Sequence, residues 1–322
     1  MPGTAQPQVT ASTSARPQPV ADGGAPRLRR RGRRRGPRQV FAAYVMLLPF
    51  LLLLLVAGVL PAGYALLTAF RDSAGGFAGL GNFATIVTDF RFTAAFRHVI
   101  FTMAVFLPAI VIFAVGLALL CQASGERLSK FMRFAFYIPG ALAGMANFML
   151  WLYILDPTVS PVRGLWQALH LGTLAEVAAP GHLPPILTAM MLFQAMGSWL
   201  LIIYGGLNGV PAEVLEAARI DGASAWGRAI HIQIPLIRPW IGYLALMNVA
   251  YVFQLFLEPA LLARATNGTI SPDWSPNQLS YTYAFTVLNQ HAAAAMSVIL
   301  LAITMAIGLV IVTRTNLFGD DA

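Results

Sequence analysis

The sequence predicts an all-α fold, a polytopic bundle of six transmembrane helices, and three observations carry that prediction. Of the 322 residues, 57% are hydrophobic and only 11% charged, against about a quarter charged in ordinary soluble domains. The mean hydropathy is +0.68. Long stretches without Lys, Arg, Asp or Glu recur along the chain, each long enough to cross a hydrocarbon layer of about 30 Å. The solvent these features suit is lipid.

The spans follow from the charge-free windows: 41–69, 98–121, 134–155, 184–209, 239–262 and 291–313. Prolines at 49, 61, 108, 139 and 259 should kink helices locally, which neighbours tolerate by satisfying the freed carbonyls. Residues 1–38 are rich in Pro, Gly, Ser, Thr, Gln and Arg with almost no large apolar residue. Such a stretch buries too little surface to offset the entropy of ordering, and it is expected to be disordered. The segment after it is far longer than the apolar core of a signal peptide and should remain as an anchor. The organisation is therefore a tail at 1–38, a membrane domain at 39–315 and a short tail at 316–322.

The net charge of +8 is a local excess: Arg27, Arg29, Arg30, Arg31, Arg33, Arg34, Arg35 and Arg38 supply it. The run reads either as a site for nucleic acid or anionic lipid, or as a topogenic anchor beside the first span. The anchor is the favoured reading, because no nucleic-acid recognition fold accompanies it. With that tail inside, inner segments hold sixteen Lys and Arg against five outside. The positive-inside bias therefore predicts two cytoplasmic termini.

Chemistry-bearing constellations are missing. No Gly-x-x-x-x-Gly-Lys-Ser/Thr loop is present; Lys130, the single lysine, lacks the glycine pair that such a loop needs. His98, His170, His182, His231 and His291 are scattered without metal-ligand spacing and are expected at helix ends and loops. Cys121 is the single cysteine and receives no role. These absences predict a protein that is not an enzyme and holds no cofactor or metal.

The longest inner connection, 211–238, is too structured for a plain loop. Pro211 stands where a helix can start, Glu213 and Glu216 suit its positive end, and Gly222 is a C-terminal stop. A second helix is expected from an N-cap at Ser224, ending before Pro235. Ala217, Ala218 and Ala223 let another surface approach closely. A rigid helical hairpin of this kind suits docking into a groove on a partner protein.

The spacing within it reads Glu216-Ala217-Ala218, three residues, Gly222, nine residues, then Ile232-Gln-Ile-Pro235. This resembles the EAA signature of permease subunits of binding-protein-dependent ABC importers, Ile234 standing where the family has Leu. The longer run Glu216 to Ser224, Phe77-Ala-Gly-Leu-Gly-Asn-Phe83 and Tyr137-Ile-Pro139 are similar to the carbohydrate branch, of maltose or glycerol-3-phosphate type. The resemblance covers about 41–313, and Ala265-Thr-Asn-Gly268 replaces the Gly-Gly-Gly-Pro common there.

The resemblance implies a coupling helix that inserts into a cytoplasmic ATPase, so that ATP is bound by partner subunits. Glu216 and Asp221 would set the docked register, Ala217 and Ala218 permit close contact, Gly222 allow the turn, and Ile232 and Pro235 close the motif. It further implies a second permease subunit, two ATPase subunits and an extracytoplasmic solute-binding protein, in a bacterial-type inner membrane, with a sugar or sugar derivative as cargo. Permeation of another solute class, or an ion-coupled secondary transporter, is the alternative.

Polar residues inside spans are costly and face either a water-filled path or another helix. Asn147 and Trp151, Gln194 and Ser198, and Tyr251 and Gln254 stand three or four apart, each pair on one helix face. Amides and hydroxyls beside aromatic rings suit a sugar path, and packing contacts between helices are the competing reading. Glu258, deep in an apolar stretch, is expected to pair with Arg264 near the outer interface.

Overall fold

The computed structural model describes residue 3 and residues 37–142 and 144–315. The arginine-rich stretch and the closing tail 316–322 lie outside the described residues, apart from Pro37 and Arg38, which open the first helix. The chain divides into two compact units, Met1–Leu55 and Val56–Ala322. Among the described residues there is no strand, only an isolated bridge between Arg71 and Phe77.

The first unit contains α1, Pro37–Leu54, and proline at its first position has no helical N–H to lose. A π-helical turn follows at Leu55–Val59, then α2, Leu60–Ala69. The short α3, Gly81–Val87, precedes α4, Phe90–Ala123, a continuous helix of 34 residues. The next pair is α5, Glu126–Ala141, and α6, Met145–Leu155. Two short helices, α7 at Arg163–Ala168 and α8 at Leu174–Val177, lead to α9, Leu183–Asn208. Then come α10, Ala212–Ile220, α11, Ala225–Arg228, a π turn at Ala229–Gln233, and α12, Ile234–Leu236. The chain closes with α13, Arg238–Phe253, α14, Leu257–Ala265, α15, Pro276–Phe285, and α16, Gln290–Thr315.

Among the described residues, four stretches are unbroken and apolar enough to span a membrane: Tyr44–Ala69, α4, α9 and α16. Two further spans are bent pairs. The α5–α6 pair turns by 97° near Gly144, whose φ of 60° is in the region glycine tolerates; the other turns by 67° between Ala225–Leu236 and α13. The chain is thus a multi-pass helical bundle of six spans, counting each bent pair as one. The structure corrects the sequence reading of the third span, which starts at Glu126 rather than 134 and is not straight.

The fifth span also differs from expectation. Instead of running through 239–262, it stops at Phe253, and Gln254–Phe256 are not helical. The cause is Pro259, whose ring has no N–H and excludes the carbonyl four residues back, that of Leu255. That carbonyl accepts from the Ser275 hydroxyl at 2.7 Å, and the Gln254 carbonyl accepts from the Asn277 amide at 3.2 Å.

The core of the second unit gathers α4, α5, α9, α13 and α16 around Phe106, Ile110, Leu187, Met190, Leu200, Ile203 and Leu244, all at most 1% exposed. Since lipid is as apolar as leucine, close backbone approach rather than the hydrophobic effect holds such spans together. A Cβ at Gly197 would fall on the backbone of Phe136 and Tyr137, and one at Gly206 would meet the Trp240 ring at 2.7 Å. These two glycines set how closely α9 approaches α5 and α13. Cys121 is buried on α4 as a free thiol.

Candidate functional site

The hairpin between α9 and α13 forms from local signals. Glu213 lies in the first turn of α10 and Arg219 in its last, both favourable to the helix dipole. The helix ends in a Schellman arrangement: Ala223 N–H donates to the Ala218 carbonyl at 2.9 Å, and Gly222 N–H to that of Arg219 at 3.1 Å. This closure requires the left-handed backbone of Gly222, φ 82°. Ser224 caps α11 by accepting from Gly227 N–H at 3.0 Å.

Contrary to expectation, the second helix does not end before Pro235 but continues through it to Leu236. The π turn at Ala229–Gln233 ends two residues before Pro235, as the turn at Leu55–Val59 ends two before Pro61. A wider turn makes room for the ring where an α turn would place a carbonyl against it.

Glu216, Ala217, Asp221, Gly222 and Pro235 are exposed, while Ala218 and Ile232 are half-buried. Ile220 is 81% and Trp226 74% exposed. The sequence reading passed over these two, although an isoleucine and a tryptophan flanking a glycine turn are the signal that finds them. Large apolar side chains held out on a polar hairpin are the usual anchors of a helix-in-groove contact. Behind them lies a cavity of ≈ 760 Å³ lined by Gln122, Glu216, Arg219, Arg228 and Gln233 among others. The Arg228 guanidinium donates to the Ala223 carbonyl at 2.6 Å and braces the hairpin.

The intramembrane polar residues divide. Asn147 is 3% exposed, and among the described residues neither its Oδ1 nor the buried Nε1 of Trp151 has a hydrogen-bond partner. Trp151 meets Phe193 of α9 edge-on at 5.7 Å, next to Gln194. The space over Gly140 of α5 adjoins the Gln194 carbonyl and the Ser198 hydroxyl. The structure thus brings α5, α6 and α9 together around four of the six. Tyr251 and Gln254 are exposed, Gln254 at the break after α13, and no hydrogen bond or aromatic contact joins them to the other four.

Glu258 makes no ion pair with Arg264 among the described residues. Both belong to α14, and six residues place them on different faces of the helix.

The far end of α4 holds a polar cluster that the sequence did not announce. Asp89 caps α4 by accepting from Arg91 N–H at 2.8 Å and pairs with the Arg91 guanidinium at 2.7 Å. The same guanidinium reaches Asp273 at 2.9 Å, and Tyr283 donates to Asp89 at 2.6 Å. The Arg91 side chain holds the Asp89 carboxyl down from 3.8 to about 2 against the opposing effect of burial, while burial and Asp89 push the Tyr283 phenol up. His98, expected at an end or loop, is instead stacked on Trp274 at 5.0 Å with Nδ1 on the Trp274 carbonyl. His291 likewise contacts the Thr68 carbonyl at 3.2 Å. Among the described residues no cluster of His, Cys, Asp or Glu is arranged to hold a metal.

The described residues thus present a capped, exposed hairpin between the fourth and fifth apolar spans of a multi-pass helical protein. Residues 114–318 match the family of binding-protein-dependent transport system inner membrane components, and the chain belongs to that family. It is 30% identical to the sn-glycerol-3-phosphate transport system permease protein UgpA of Agrobacterium fabrum, covering 82% of this chain and 91% of that one. The diacetylchitobiose uptake system permease protein NgcF of Streptomyces coelicolor is 27% identical over 96% of this chain and 91% of its own length. The trehalose transport system permease protein SugA of Mycobacterium tuberculosis is 27% identical over 91% of this chain and 93% of its own. Among solved structures, a bacterial ABC transporter that imports the acidic polysaccharide alginate superposes with a TM-score of 0.75 at 17% identity, over 88% of this chain and 98% of that one. The alginate transporter with its pentasaccharide-bound periplasmic protein gives 0.74 at 18%, over 87% and 96%.

Proposed function

We propose that this permease is the membrane path of an ATP-driven importer for a sugar or sugar derivative delivered by a solute-binding protein, and that it performs no catalysis of its own. In this reading it pairs with a second permease and two ATPase subunits, which bind the ATP, and both its termini face the cytoplasm. The observation that carries the reading is the hairpin: a glycine-closed helix with Ile220 and Trp226 held out beside Glu216 and Asp221. Ile220 and Trp226 would anchor in the ATPase, and the flanking carboxylates would fix the register. ATP-driven closure of the ATPases would then move the hairpin and rock the spans between inward-open and outward-open states.

Substituting the turn tests this reading. Gly222→Val forces a β-branched residue into the left-handed region at a cost of about 2 kcal/mol, equivalent to roughly thirtyfold in the docking equilibrium. Purified complexes of this variant are expected to lose their ATPase subunits, and vesicles containing them to lose uptake. Normal ATPase retention together with normal uptake would overturn the docking role.

The cargo class rests on the relatives, which transport sn-glycerol-3-phosphate, diacetylchitobiose and trehalose by their names, and on the path residues. Asn147 Oδ1 and Trp151 Nε1 are a buried acceptor and donor without a partner among the described residues, and the Trp151 ring meets Phe193. In a state where the spans open, sugar hydroxyls would satisfy both atoms, and the apolar face of a sugar ring suits the aromatic side chains. Gln194, Ser198, Tyr251 and Gln254 would extend that lining. Trp151→Phe removes the donor and keeps the ring, so uptake is expected to fall about fivefold with complex assembly unchanged. Unaltered uptake in Trp151→Phe, Tyr251→Ala and Gln254→Ala would instead assign these residues to helix packing.

A further inference from the structure

If force enters at the hairpin, it must reach helices that the hairpin does not adjoin in sequence. The hairpin continues covalently into α9 on one side and, through the 67° bend, into α13 on the other. The helix α4 has neither connection, yet it packs along α9 more extensively than any other pair of helices in the bundle. One side chain links the three. Gln233, the last residue of the π turn, donates through Nε2 to Oε1 of Gln122, 111 positions earlier in the chain, at 2.5 Å. The Gln122 amide donates in turn to the Leu207 carbonyl at 3.4 Å. Gln122 and Leu207 each lie one residue from the end of their helices, α4 and α9.

The chemistry of this relay is specific. The Leu207 carbonyl, in the last turn of α9, accepts from Val210 N–H at 3.2 Å and has a second lone pair for the Gln122 amide. An amide is both donor and acceptor, so one glutamine can cap α9 and hold the hairpin simultaneously. Both glutamines are half-buried at the wall of the ≈ 760 Å³ cavity behind the hairpin. The packing of α4 on α9 gives the relay a stiff backing.

We infer that Gln122 and Gln233 form a positioning relay that makes the hairpin and the ends of α4 and α9 move as one body, so that each ATP hydrolysed moves solute rather than only the hairpin. This inference rests on the docking reading above. Without the relay, the hairpin still docks and the ATPase still turns over, but displacement is lost as slack before it reaches α4.

The complete importer, reconstituted in vesicles with its ATPase and loaded binding protein, provides the test. Gln122→Ala or Gln233→Ala should retain the ATPase subunits in full and lower the melting temperature of the complex by no more than about 3 °C. Solute moved per ATP should fall about fivefold, the equivalent of one part-buried hydrogen bond. The double alanine variant should be no worse than Gln122→Ala, which by itself removes both hydrogen bonds of the relay. Combining Gln122→Lys with Gln233→Glu supplies an ammonium that donates to both the carboxylate and the Leu207 carbonyl, and should restore the ratio to within about twofold. Combining Gln122→Glu with Gln233→Glu should not.

An unchanged solute-to-ATP ratio in the single variants overturns the relay, as do additive losses in the double. Should the alanine variants not accumulate, Gln122→Met and Gln233→Met keep the volume and carry the same expectation. Gly222→Val, run in parallel, separates the two ideas. If it keeps its ATPase and its uptake, the docking reading fails; if it loses the ATPase while the glutamine variants transport normally, only the relay fails.

Discussion

The two ends of α4 solve different problems with different chemistry. At its N-terminal end, the local Asp89–Arg91 pair is joined to Asp273 and Tyr283, nearly two hundred residues away, by short charge-assisted bonds. At its C-terminal end, the hairpin is closed by bonds spanning only three to five residues, and the Gln122–Gln233 amide pair ties it to α4. One end is a lock and the other a lever. A lever must form by itself, because a partner takes hold of it, and it must keep its anchors Ile220 and Trp226 uncovered. The lock can rely on contacts that exist only once the bundle has assembled.

The largest expected effect lies at the lock. Arg91→Met leaves two carboxylates, each 8% exposed at the side chain, facing each other without their shared cation. Breaking such a pair from one side should cost about 3 kcal/mol of stability, read as a lowered denaturation midpoint in detergent. Acid should reach the same end more gently. Because Asp89 titrates at about 2 rather than 3.8, its contribution is complete above about pH 4 and disappears as the pH falls through about 2. Roughly 1–2 kcal/mol is at stake. Denaturation midpoints between pH 5 and 2 should therefore slope less in Asp89→Asn than in the unaltered protein. Equal slopes would mean that the carboxyl does not hold this end together.

The smallest effect lies at the lever. Ser224→Ala removes the cap of α11 and should cost about 1 kcal/mol locally. Amide exchange at residues 225–228 should quicken about fivefold while the global midpoint remains unchanged. A global shift from this substitution would erase the distinction between the two ends, since it would show that the hairpin is part of the same cooperative unit as the lock.

The six spans were legible because burial in lipid demands about twenty apolar residues, a requirement met residue by residue. The fourth and sixth, read at 184–209 and 291–313, stand at Leu183–Asn208 and Gln290–Thr315. What escaped was the interruption of the third and fifth. Pro259 announced a disturbance, but whether it would bend or break the helix depended on Ser275 and Asn277 arriving from another segment to take the freed carbonyls. The same holds for Glu258, where sequence distance suggested Arg264 and helix phase placed the two apart.

The sequence by itself determined the membrane habit of this protein and the hairpin's turn and caps, because apolar length, glycine conformation and serine capping act within a few residues of one another. The tertiary structure alone decided the Asp89–Arg91–Asp273 lock, the break after α13, and which polar atoms remain free inside the bundle. Each of these depends on where distant segments meet, and a side chain's partner is set by where the folded backbone carries it.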